Sequence, residues 1–122
     1  MKSLIATALL LFCVLTLATL NLFYVDDAIT GMEERLDALP GINDSDCMAQ
    51  AEELAAYWAK KETVLTISIA YPFIDRICEQ ASLLVTCVSV GDVYGYHSAK
   101  ALLSDALEDL SRTERFSIAN LL

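Results

Sequence analysis

The run "SLIATALLLFCVLTLATLNLFYV", from Ser3 to Val25, contains no charged residue, and no other feature limits the fold as strongly. A helix of about 20 apolar residues crosses the roughly 30 Å hydrocarbon layer of a bilayer. The run therefore predicts a membrane span. Lys2 precedes it and Asp26-Asp27 follows it at once. Basic residues are retained on the cytoplasmic side, which predicts an inside N-terminus and an outside remainder.

A cleaved signal peptide is the competing reading. Its apolar core is about 7–15 residues long and ends in small residues. Thr16 and Ala18 fit such an exit site, but the apolar run continues past them to Val25. A lipoprotein signal would place a small residue before its cysteine, and Phe12 precedes Cys13. An uncleaved signal anchor over residues 1–25 fits best, followed by one domain over 26–122. The predicted location is the cytoplasmic membrane, crossed once.

All 17 acidic residues and seven of the eight basic ones follow the span, so the remainder carries a formal charge of −10. Such a surface repels nucleic acid, and no nucleic-acid partner is expected.

Apolar spacing then predicts four helices, near 26–39, 44–70, 72–90 and 92–115. Val25, Ile29, Met32, Leu36 and Leu39 form one stripe that carries the membrane helix outward until Pro40-Gly41 stops it. Asn43, Asp44 and Ser45 are credible N-caps for the next helix, whose apolar face is Cys47, Ala51, Leu54, Trp58 and Leu65. "TVLTISIA" alternates like a strand, but no second strand exists to pair with it, so helix is preferred. Pro72 suits a first helical turn, and Ile74, Ile77, Ala81, Leu84 and Val88 continue one face. The last seam is Tyr96, Ala99, Leu103, Ala106 and Leu110. The fold class is all-α: an N-terminal transmembrane helix extending into a small antiparallel three- to four-helix extracytoplasmic bundle.

The order of features from Trp58 onward, a tryptophan helix, an apolar helix ending in "VGD", an "A…L…L" helix and then "SIANLL", resembles a known bacterial family. It comprises small membrane-anchored proteins, mostly of Gram-positive lineages, known as domain of unknown function 4363. The resemblance implies a helical extracytoplasmic domain and imports no reaction. Related sequences often carry a histidine near the start of the third segment, where "AYPFID" stands here. No catalytic histidine is therefore carried over.

The chemistry-bearing residues are few. "SVGDVYGYHSAK" holds the sole histidine, His97, together with Gly91, Asp92, Tyr94 and Tyr96. Gly91 suits the left-handed position past a helix end, and Asp92 suits the cap of the next helix. A Cys87–His97–Asp92 cluster is conceivable there, yet the apolar "LLVTCVSV" setting raises a thiol pKa and works against a nucleophile. Cys13 lies in the span. Cys78 and Cys87 on one helix stand about 13 Å apart, so only a disulfide from Cys47 to Cys78 or to Cys87 is geometrically open, and small buried free thiols are the favoured alternative. Acidic pairs read as solvated faces, and neither metal nor cofactor is expected.

The leading functional expectation is a non-enzymatic interaction or assembly protein. Its candidate surface comprises the stripe Ile29, Met32, Leu36 and Leu39, the aromatic corner Tyr94, Tyr96 and His97, and the apolar residues Phe116, Leu121 and Leu122. The partner would be a second copy, forming a homodimer, or another membrane protein. The alternatives are a membrane-attached sensor that binds a small ligand or metal in the bundle, and a thiol or hydrolytic enzyme using His97 and Cys87.

Overall fold

A computed structural model describes residues 1–65 and 71–121, without the side chains of residue 71 and residues 117–121. Four helices account for nearly all of it: α1 (Lys2–Asp37), α2 (Cys47–Leu65), α3 (Tyr71–Val90) and α4 (Val93–Leu121). The described residues contain no strand.

The long helix α1 divides sharply at Val25. None of its earlier residues is buried, and Leu9, Leu10 and Phe12 are among the most exposed large side chains in the chain. From Val25 onward, Val25, Ala28, Ile29, Met32 and Leu36 enter the core, followed by Leu39 just past the helix. One helix is thus long and apolar enough to cross a membrane, and its other half is a bundle element.

Helix α2 returns antiparallel to α1. Lys61 Nζ reaches Asp27 Oδ2 at 3.2 Å, and Arg35 Nε reaches Glu53 Oε1 at 3.2 Å. α3 packs on α2 and α4 packs on α3, and α4 closes the bundle against α1. Each apolar face predicted from spacing is the buried one. Cys47, Ala51, Leu54, Trp58 and Leu65 face inward from α2, and Tyr96, Ala99, Leu103, Ala106 and Leu110 from α4. The α3 seam differs in one detail: Cys87 is buried and Val88 only half-buried. The Trp58 indole lies between α2 and α3 and donates its N–H to Cys78 Sγ at 3.0 Å.

Helix punctuation follows local chemistry. Asp44 accepts the Asp46 N–H at 2.8 Å just ahead of α2. Gly91 has φ +72°, and the Gly91 and Asp92 N–H groups donate to Val88 and Cys87 carbonyls at 3.3 and 2.9 Å. That pair of bonds is a Schellman closure of α3. Two predicted boundaries change. α2 begins at Cys47, three residues after the predicted start, so Asp46 and not Asn43, Asp44 or Ser45 directly precedes it. α4 runs on beyond Arg115 to Leu121 as one helix. The 66–70 part of the predicted second helix lies outside the described residues.

The approach of α1 to α2 depends on Gly31. A Cβ there would collide with the Tyr57 hydroxyl and ring. Arg35, one turn further along α1, stacks on that ring, its guanidinium carbon 3.7 Å from the centroid, while donating to the Gly31 carbonyl at 3.1 Å. Tyr57 is held against both residues, so Gly31→Ala must displace the ring and disturb the stack. The alanine gains about 1 kcal/mol of helix propensity but forfeits contacts and a cation–π interaction worth about 1–2 kcal/mol. Urea unfolding in micelles is expected to show net destabilisation by Gly31→Ala. In a Tyr57→Ala background the same substitution should become stabilising by about 1 kcal/mol.

Candidate functional site

The sequence-predicted surface separates into three groups. Ile29, Met32, Leu36 and Leu39 are buried at 7% exposure or less by the chain's own helices, so the stripe offers no free seam to a second copy. The reason is geometric: α2 and α4 both lie against the outer half of α1. Tyr96 is also withdrawn from the surface, with no exposed area. Tyr94, at 86% exposure, and Phe116, at 67%, are the most open aromatic groups beyond the span, and His97 is exposed. The Leu121 side chain and Leu122 lie outside the described residues.

Tyr96 is a structural hub. Its hydroxyl donates to the Pro40 carbonyl at 2.6 Å, tying the start of α4 to the α1–α2 connection. The Cys47 thiol donates to the same hydroxyl at 3.5 Å. Burial, and next the bond to Cys47, hold the phenol well above its ordinary pKa, so it stays a donor across the physiological range. His97 meets the Tyr96 ring edge-on at 5.5 Å between centroids, and Lys100 Nζ lies 5.4 Å from its centroid. No spacing rule pairs residue 96 with residue 40. The only sequence signal was a tyrosine in an otherwise aliphatic seam, whose hydroxyl needs a partner once buried.

The corner between α3 and α4 is built around Asp92. Its carboxylate accepts the Gly95 N–H at 2.9 Å, capping α4. A side chain at 95 would run into that carboxylate and Cys87 Sγ. Burial raises the Cys87 pKa and the Asp92 charge raises it further. That is the reverse of an activated thiolate. Asp92 serves the helix start and stands against the sulfur rather than bridging it to His97. Val90, Val93 and Tyr94 remain exposed at 71%, 48% and 86%, making an apolar tip at this end of the bundle.

All four cysteines are free thiols. Cys78 is fixed at the Trp58 level, and eleven residues of α2 separate Trp58 from Cys47, about 16 Å along the axis. That separation exceeds disulfide reach. Cys87 packs at Gly95 while Cys47 is turned to Tyr96 and Pro40, so neither predicted pairing is formed. Burial raises the Cys78 pKa, and the Trp58 N–H acts against that rise.

Clefts on the bundle are open and shallow. One of about 420 Å³ is lined by Phe73, Asp109, Arg112, Thr113 and Phe116. A narrower one between α1 and α4 is lined by Leu22, Val25, Asp26, Ile29, Glu114 and Arg115. Among the described residues no three His, Cys, Asp or Glu side chains converge as a metal site. No protein-family model, no curated protein and no solved structure matches the chain, so its functional reading rests on its own residues.

Two measurements test these assignments. Tyr96→Phe removes the donor to Pro40 while keeping the ring. It should cost about 1–2 kcal/mol in chemical unfolding, the cost of a buried acceptor left unpaired. Burial in the α1–α4 cleft raises the Glu114 carboxyl above its ordinary pKa. Its ionisation therefore opposes folding: the penalty is absent below the unfolded pKa near about 4 and grows as pH rises through the folded value. Glu114→Gln should stabilise the fold at neutral pH by about 0.5 kcal/mol or less, read as a small rise in melting temperature, because the site is only half-buried. The gain should vanish in acid.

Proposed function

We propose that this chain is a non-enzymatic interaction or assembly protein of the cytoplasmic membrane. Its N-terminus is inside, α1 spans once, and the acidic bundle stands outside as a rigid platform. The observation that carries this reading is the division of α1 at Val25. One unbroken helix supplies both the span and a quarter of the bundle, with no hinge between them.

The proposed contact surface is the tip formed by Val90, Val93 and Tyr94, with His97 beside it. This replaces the α1 stripe, which the chain covers itself. α3 rises from Phe73, so Val90 stands roughly 25 Å further out at 1.5 Å per residue. An exposed aromatic with two valines suits the centre of a small interface, where aromatic side chains are enriched. The raised Cys87 thiol and the capping role of Asp92 give no support to a thiol or hydrolytic site at this corner.

Photocrosslinking in intact cells tests the proposal. A photoreactive residue at Tyr94 or Val90 should give adducts heavier than the monomer. The same group at Glu52, exposed on the side of α2, should give none. Recovery of monomer alone from every position would sink the reading.

A further inference from the structure

Resting on the membrane reading of α1, we infer that the base of the bundle is itself seated in the bilayer. The surface around Phe116 and Val64 enters the leaflet that α1 leaves at Val25.

The argument begins with level. Glu114 and Arg115 of α4 lie beside Leu22, Val25 and Asp26 of α1, and the two helices run antiparallel. Phe116 therefore stands at or below Leu22, within the uncharged run. The helix continues to Leu121, five further residues that carry no charge and add about 8 Å in the same direction. A bilayer that surrounds Leu20 and Phe23, exposed at 60% and 67%, must also surround this end of α4. α2 reaches the same level: Lys61 pairs with Asp27, so Val64 lies nearly one turn deeper, and it is 46% exposed.

Exposure agrees with that placement, and the charged groups at this level are ones that reach to a headgroup layer. Phe116 is as open to its surroundings as the apolar residues of the span. Five of the seven basic residues beyond the span ring this base. Lys60 and Lys61 stand on α2 and Arg76 at the start of α3, while Arg112 and Arg115 lie on the last turns before Phe116. Arg76 pairs with Asp109, and Arg112 with Glu108 and Asp109. Long basic side chains at this level lay their stems along apolar surface and put their charges among headgroups. Acidic residues stand at the same level, Asp27, Glu108 and Asp109 in ion pairs with these basic groups and Asp26 and Glu114 in the α1–α4 cleft, so the ring is one of mixed charge that a headgroup layer of zwitterions accommodates. Lipid is the one occupant that follows directly from the continuity of this surface with the exposed face of α1.

Tryptophan reporters in full-length protein reconstituted into phosphatidylcholine vesicles test this, with bromine-labelled phosphatidylcholine as the quencher. Native Trp58, 2% exposed, supplies the blank. Phe116→Trp and Val64→Trp report the base through separate helices, so the loss of one fold leaves the other. Leu10→Trp reports the span and Tyr94→Trp the far tip. The expected result is blue-shifted emission at both base positions, with most of the added signal lost to bromolipid, as at Leu10→Trp, and none lost at Tyr94→Trp. If Leu10→Trp is quenched by bromolipid while both base reporters respond only to aqueous acrylamide, the seat is refuted and the span stands. Blue-shifted base reporters that ignore both quenchers would also refute it, in favour of a second copy over the base. If Leu10→Trp itself escapes bromolipid, the membrane reading fails together with the inference.

Discussion

Everything in this molecule depends on how the outer half of α1 is covered. A helix that continues from an apolar span without a break projects an amphipathic stripe, Val25 to Leu39, that cannot remain in water. The chain covers that stripe with α2 on one side and α4 on the other. The antiparallel order of the helices follows, because α2 must return along α1 and α4 must return along α3 to reach it. Trp58 and Tyr96, the two largest side chains sealed in the core, fill the space this arrangement leaves between helices. The ion pairs on the surface are solvent-exposed and add little beyond orientation.

Much of this was readable residue by residue. The stripes of α1, α2 and α4 match the buried faces because helical periodicity and burial are two statements of one geometry. Gly91 and Asp92 were readable for a different reason. Closing one helix and capping the next are problems solved within a few residues, so the solution is written locally.

What was not readable is pairing across distance. The periodicity of Ile29, Met32 and Leu36 demands a cover but cannot distinguish the chain's own helices from a second copy. The bond from Tyr96 to Pro40 spans 56 positions, and the fit of Tyr57 against Gly31 and Arg35 needs two helices already in register. The end of α4 was misjudged for a related reason. The sequence turns apolar again at Phe116, which suggested an end near Arg115, but the helix continues to Leu121. Composition marks where surroundings change, and a backbone need not change with them.

The absence of a hinge between Leu20 and Ile29 has a rotational consequence. Each residue of an α-helix turns the chain by about 100°. With the stripe from Val25 onward gripped by α2 and α4, the azimuth of the whole bundle is locked to the faces of the apolar segment below it. Whichever face of that segment meets a neighbouring helix also decides the compass direction in which Tyr94 points. Inserting or removing a single residue within the apolar segment, well below Leu22, would leave the core contacts from Val25 onward intact while turning the bundle about 100° around the α1 axis relative to the segment beneath it.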